Sequence, residues 1–340
     1  MSSIPILTFC IPTYNRLERV QQLVLSLLSL PDDDIEVVVL DNASTDGTAA
    51  ALSQIRDARF KLAVNPENRG ALFNMVNVFD LATGTYVVYS TDQDKTNIDR
   101  IADFKASLRQ HPEVSCGFCN FDVKPGTPRQ QFPRGISAVR AIAYKGRHPT
   151  GYFFRNEDLR EVKLAKRFAD FNVVDLFPLE FAFAEIAMMG DGLIYSDGLF
   201  IPNNSDDVVQ HKSSTTNGAA RTAFFAPAAR LKLALSYSQH VEQLALSPRD
   251  KSRLASQIFL AELGAATIGY KTVMSNQRLC IHYRMVPRKI GRVELVRTGL
   301  SFVIGYFSPQ LLRPKVAPGA VFFGAMQHIA SKIVNRLVRT

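Results

Sequence analysis

The chain has 340 residues, a formal net charge of +9 and an apolar content of 46%. That length and composition support one large or two ordinary cored domains and exclude a disordered chain. Its 4 cysteines are too few for a disulfide framework and fit a reducing cytosol. Met1-Ser2-Ser3 passes directly into an apolar run, so no secretory leader is expected. The charge is uneven. From Arg278 to Thr340 there are 11 Lys and Arg against the single acid Glu294, a net +10, which leaves the remaining 277 residues at −1.

Residues 4–122 alternate between apolar runs and amphipathic stretches. Strands are expected at 6–12, 35–41, 60–65, 85–91 and 114–122, with helices at 16–30, 45–56, 70–82 and 98–110 between them. Leu17, Val20, Leu23, Val24 and Leu27 keep the three-to-four spacing of one helix face. Ser44 or Thr45 is expected to cap the second helix, with Asp46 in its first turn. The alternation predicts an α/β fold with a doubly wound, mainly parallel sheet. Cys116 and Cys119 form a CxxC that lacks the second pair of a zinc ribbon, and VSCGFCNF around them reads as a buried strand.

Residues 123–150 break the pattern. KPGTPRQQFPRG reads as a loop, and a strand-like AIAYKG leads into Arg147-His148-Pro149-Thr150-Gly151-Tyr152. DLFPLEFAFAEIAMMG (175–190) reads as a mostly buried helix, and LIYSDGLFIP as strand. Residues 203–218 are polar, and 219–275 are helical in character. The tail has two apolar stretches, 299–307 and 319–326. Each is under half the roughly 20 residues that span a bilayer. Lying between arginines, they suit a helix in the interface of an anionic membrane, with Phe302, Phe307, Phe322 and Phe323 inserted. The plain alternative is a basic helical subdomain packed on the core.

Several of the strands end in polar groups, and ligands bind outside the carboxyl ends of strands in open α/β sheets. Asp92-Gln93-Asp94 follows the fourth strand. Two carboxylates there suit Mg²⁺ or Mn²⁺, which take one or two carboxylates and fill their other positions with phosphate oxygens and water. Asp41 ends the second strand, where it can accept from a base imide or a ribose hydroxyl. Pro12 and Tyr14 end the first, where a ring can flank a base. Arg69, followed by Gly70, is placed to meet phosphate. A Rossmann dinucleotide site is excluded, because PTYNRLE stands where GxGxxG is needed.

The series PTYNR (12–16), DNASTDGT (41–48), NPENRGALFN (65–74), Gly84-Thr85-Tyr86 and DQD (92–94) resembles the nucleotide-binding half of the inverting family 2 glycosyltransferases of GT-A fold. The resemblance covers residues 4–100. It implies transfer of a sugar, with inversion, from a nucleotide-diphosphate donor (UDP-sugar favoured) to an acceptor hydroxyl. It places Pro12, Tyr14, Asp41 and Arg69 on the donor nucleotide and Asp94 on the metal. The family often reads Asp-Asp where Gln93 intervenes here, so Asp92 is left to ribose or a metal-bound water. The family's base lies near a helix start in the second half of the domain. Glu180 is the first choice, with Glu185, Asp175 and Asp191 as alternatives. His211 is a further candidate metal ligand, His148 a candidate for the acceptor pocket, and Tyr152 the nearest ring for stacking a sugar.

The expected organisation is a GT-A domain over 1–218, with a nucleotide-binding half (1–100) and an acceptor half (101–218). A helical basic region follows over 219–340. The expected enzyme is metal-dependent, cytoplasmic and peripheral on the inner face of the cell membrane. It acts on a glycan or lipid-linked glycan in bacterial capsule or O-antigen synthesis and takes no nucleic acid. The competing reading is a non-catalytic module that binds sugar nucleotides or RNA.

Overall fold

The computed structural model describes residues 4–121, 129–170, 177–201, 225–282 and 285–307. The chain divides into two compact units, Met1–Ala219 and Ala220–Thr340.

In the first unit, β1 (Leu7–Thr13) leads to α1 (Leu17–Leu28) and β2 (Ile35–Asp41). Next come α2 (Thr48–Leu52), β3 (Phe60–Val64), α3 (Ala71–Asn77), β4 (Tyr86–Tyr89) and β5 (Lys95–Thr96). Then follow α4 (Ile101–Gln110), β6 (Val114–Cys119), β7 (Gln130–Phe132), α5 (Ile136–Ile142) and β8 (Tyr152–Arg155). The unit closes with α6 (Asn156–Val162), α7 (Leu164–Asp170), α8 (Pro178–Ile186), β9 (Asp191–Tyr195) and β10 (Phe200–Ile201). Eight strands form one sheet in the order β3-β2-β1-β4-β8-β6-β9-β7. The pairs β1/β2, β2/β3, β1/β4 and β6/β9 are parallel, so the sheet is mainly parallel, as the alternation predicts.

Burial explains these elements. β2 is buried along its whole length, which is why IEVVVL runs apolar without alternating. α1 turns Val20, Leu23, Val24 and Leu27 into the sheet core, and each such side chain contributes at most about 1.5–3 kcal/mol.

Two expectations need correction. The strand-like AIAYKG is instead the end of α5 and a turn, because Ala138, Val139 and Ile142 are buried at helical spacing. Ile142 and Ala138 pack where Gly192 leaves room; a Cβ there would sit 2.3 Å from Ile142 Cδ1. The second helix is capped by neither Ser44 nor Thr45. It starts after Gly47 without a side-chain cap, and Asp46 accepts from the Thr48 N–H (3.1 Å) and the Leu17 N–H (3.1 Å). β8 runs antiparallel between β4 and β6, which separates β6 from β4 in the sheet.

The second unit contains helices Pro227–Gln243, Pro248–Gly264, Tyr270–Met274, Gln277–His282 and Arg292–Phe307. Ser247 caps the Pro248 helix by accepting from the Asp250 N–H at 3.1 Å. Ala234, Ala255, Phe259, Ala266, Phe302 and Tyr306 form its main core. The apolar stretch 299–307 is therefore part of a packed helix, and Phe302 points into the core rather than outward. Residues 319–326, with Phe322 and Phe323, lie outside the described residues. Among the described residues, no helix is long and apolar enough to cross a membrane.

Candidate active site

Parallel pairing brings the ends of β1, β2 and β4 to one edge. Thr13 is in register with Asp41, and Cys10 with Tyr89, so Asp92 follows β4 at the level of the β1 end. Thr13 Oγ1 donates to Asp92 Oδ2 at 2.8 Å, and Arg16 Nη1 to Asp92 Oδ1 at 2.5 Å. With its amide turned to satisfy both groups, Gln93 also accepts from Arg16 at 2.7 and 2.9 Å. Burial raises the Asp92 pKa above the ordinary carboxylate value, with Arg16 and Thr13 opposing it. Both Asp92 oxygens thus already have partners inside the protein.

Asp94 differs. Thr91 Oγ1 and Thr150 Oγ1 each donate to Oδ2 at 2.6 Å, and His148 Nδ1 stands 3.5 Å from the same oxygen. Among the described residues nothing hydrogen-bonds Oδ1. His148 is half exposed, with its ring edge-on to Phe121 at 5.5 Å. Desolvation by the surrounding protein holds its pKa below the ordinary value, against the pull of Asp94. A hard carboxylate oxygen without an internal donor, beside an imidazole, fits a divalent cation whose other positions are filled by phosphate and water. No group of three or more His, Cys, Asp and Glu side chains among the described residues could hold a metal unaided. His211 and Asp175 lie outside the described residues.

Asp41 has no exposed surface, and Ser44 closes over it. The Ser44 hydroxyl donates to Oδ1, and the Ser44 N–H to Oδ2 at 3.0 Å. Its direct contact with a base is therefore not offered in this arrangement. Pro12 and Tyr14 are half-buried beside it. Asn42, also buried, accepts from the Arg69 N–H (3.0 Å) and Asn65 Nδ2 (2.9 Å) and donates to Asn68 Oδ1 (2.8 Å). This fixes the turn before α3. Arg69 itself is exposed, with its guanidinium 3.7 Å over the Phe73 ring.

The carboxylate candidates for the base separate cleanly. Glu185 is ion-paired with Arg167. Asp191 begins β9, which runs parallel to β6, and accepts from the Arg134 N–H (2.9 Å) and Gln131 Nε2 (3.0 Å). Since β6 and β4 both run antiparallel to β8, β9 runs in the sense of β4, and Asp191 lies at the edge opposite Asp92. Glu180, in the first turn of α8, is 1% exposed. Tyr152 Oη donates to its Oε1 at 2.6 Å, and the Arg147 N–H to the same oxygen at 3.3 Å. Its Oε2 is buried with no hydrogen-bond partner among the described residues. Such an orphan costs free energy and marks a group that another partner is meant to meet.

Residues 147–152 therefore link the two carboxylates. His148 and Thr150 address Asp94, while Arg147 and Tyr152 address Glu180. Gly151 makes this possible. Its φ is +100°, an added Cβ would lie 2.7 Å from the Cys119 carbonyl oxygen, and its N–H and C=O bond Tyr89 and Cys119. Tyr152 is consequently a core ring packed on Phe118 (5.1 Å) and Phe183 (4.7 Å), not a platform for a sugar. Cys116 and Cys119 are buried in β6, where desolvation pushes both thiols up.

An Asp-X-Asp turn beyond the carboxyl end of β4, in a mainly parallel sheet with an antiparallel strand between its parallel halves, is a GT-A arrangement. The Glycosyl transferase family 2 model matches residues 8–170. That segment belongs to family 2 of the glycosyl transferases. Over 146 residues the chain is 28% identical to the putative teichuronic acid biosynthesis glycosyltransferase TuaG of Bacillus subtilis (strain 168), covering 41% of this chain and 56% of that protein. The chain thus spans about half the length of this curated relative. S. aureus TarS 1–349 shares the fold with a TM-score of 0.52 at 15% identity, over 89% of this chain and 91% of that one. The mannosyltransferase PcManGT from Pyrobaculum calidifontis, solved with GDP-Man and Mn²⁺, gives a TM-score of 0.50 at 18% identity, over 97% and 88%.

Proposed function

We propose that the chain is an inverting glycosyltransferase. It moves a sugar from a nucleotide-diphosphate donor, UDP-sugar favoured, to an acceptor hydroxyl in the synthesis of a bacterial surface glycan such as capsule or O-antigen. The carrying observation is the Arg147–Tyr152 segment, which ties Asp94 and Glu180 into one site. TuaG, named for teichuronic acid biosynthesis, and TarS, solved also with UDP-GlcNAc, favour the pathway and donor class.

In this reading Pro12 and Tyr14 flank the base, Asp41 shapes its seat through Ser44, and Arg69 meets the diphosphate. Asp94 Oδ1, with His148 or His211, would hold Mn²⁺ or Mg²⁺. When bound, the ion neutralises charge on the departing nucleotide diphosphate. Thr91 and Thr150 orient the Asp94 carboxylate. Asp92 fixes Arg16 and, with Gln93, holds its guanidinium at the end of β4. Glu180 is the base. Tyr152 and Arg147 hold its Oε1, so Oε2 is left to accept the acceptor's hydroxyl proton as that oxygen attacks the anomeric carbon. The work is placed at the inner face of the cell membrane, on a glycan or lipid-linked glycan, a location favoured by the +10 segment 278–340.

A thermal-shift series with UDP plus Mn²⁺, NAD⁺ and RNA tests the assignment. Stabilisation by UDP with Mn²⁺ alone is expected, and a response to NAD⁺ or RNA instead would overturn it.

A further inference from the structure

Helix Arg292–Phe307 is apolar on two opposite faces. On one, Phe302 and Tyr306 are buried, with rings 6.1 and 4.8 Å from Phe259. On the other, Val293, Val296, Leu300 and Ile304 are 83, 62, 58 and 70% exposed. At about 100° per residue these four fall within an arc of about 80°, so they form one continuous stripe. A contiguous exposed apolar strip marks an interaction surface, whereas scattered exposed leucines do not.

Charge indicates what covers it. Arg297 lies on the flank of the stripe, about 40° from Val293 around the axis, and Lys289 and Arg292 are exposed at its start. The one acid of this region, Glu294, is neutralised by both Nη atoms of Arg288, at 2.6 and 2.9 Å. A second copy of the chain would bring the same +10 segment against this one, and like charge opposes that contact. Aliphatic side chains bordered by cations that have no ion pair among the described residues match the headgroup boundary of an anionic bilayer, where arginines meet phosphates and the apolar stripe enters the acyl region.

We infer that Val293, Val296, Leu300 and Ile304 are the face by which this chain lies on an anionic membrane, with Arg292 and Arg297 at the headgroups. Phe302 takes no part, since it is spent in the core.

The test is co-sedimentation of the full chain with phosphatidylcholine vesicles, with and without phosphatidylglycerol. Wild type should bind only the anionic vesicles. Val296→Asp with Leu300→Asp should lower the partition coefficient at least ~10-fold at all salt concentrations. Arg292→Gln with Arg297→Gln should weaken it mainly at low salt. Both substitutions are at exposed positions, and an unchanged thermal melt shows that the variants fold. Wild-type indifference to anionic vesicles, or undiminished binding by the aspartate variant, overturns the inference. So does a lipid-free dimer that the aspartate variant dissolves, because the stripe would then be a self-interface.

Discussion

Asp92 and Asp94 stand two residues apart in different surroundings. Asp92 is locked to Arg16 and Thr13, whereas Asp94 keeps one oxygen clear of internal donors. Asp94→Ala should therefore abolish the gain in UDP affinity that Mn²⁺ supplies, a loss of at least ~10-fold by titration calorimetry, since removing even an outer partner of a metal costs that much. A mutant that keeps the metal-dependent gain would return the ligand role to another group. Tyr152→Phe removes the donor to Glu180 Oε1 and leaves the packing on Phe118 and Phe183. Turnover should fall by roughly 10- to 100-fold with UDP affinity unchanged, in line with about 1.5–3 kcal/mol for a hydrogen bond to a charged group. Equal losses in both quantities would mean that Tyr152 serves only the fold.

At the scale of elements, two ties hold the site edge in place. Glu36 in β2 bonds Thr8 Oγ1 (2.6 Å), Thr83 N (2.7 Å) and Lys61 Nζ (2.5 Å), which couples β2 to β1 and to the turn before β4. Burial pushes its pKa up, but Lys61, Thr8 and Thr83 outweigh this and leave it below the ordinary 4.5. A depressed folded-state value stabilises the fold above the unfolded-state pKa, and that contribution is lost as pH falls through the folded-state value. Wild type should thus lose stability on acidification below about pH 4.5, and Glu36→Gln should lose less over that window in denaturant melts. The second tie is Gly151, where Gly151→Ala meets both positive φ and the Cys119 carbonyl. A destabilisation of about 2–4 kcal/mol is expected; a neutral result would remove the claim that this residue pins the segment.

Much at this scale was legible in the chain. β1, β2 and β4 follow apolar runs because they are buried along nearly their whole length, and α1 follows three-to-four spacing because it buries one face. The C-terminal edge was legible too, since carboxylates sit just beyond those runs. β8 was not, because YFFR is only four residues long and follows a Gly- and Pro-containing turn. AIAYKG misled because only Ile142 of the buried face Ala138, Val139 and Ile142 falls within it, and a short apolar run reads equally well as a strand. The partners of Asp94 and Glu180 were hidden for another reason. Thr150 lies 56 positions from Asp94, and Tyr152 lies 28 from Glu180, and no local pattern joins residues so far apart.

At the scale of the whole molecule, the family match ends at residue 170, inside the first unit. Glu180 and the exposed apolar stripe of helix Arg292–Phe307 both lie beyond it. The residues proposed as base and as membrane face therefore rest on this chain's own geometry and not on the family match. The decisive measurement is release of UDP and the anomeric configuration of the product, across a panel of UDP-sugars with Mn²⁺, for wild type and Glu180→Gln. An inverted product is expected, with turnover lowered ~10²–10⁴-fold in the variant and UDP affinity intact. A product of retained configuration, or a variant that turns over like wild type, would contradict the account.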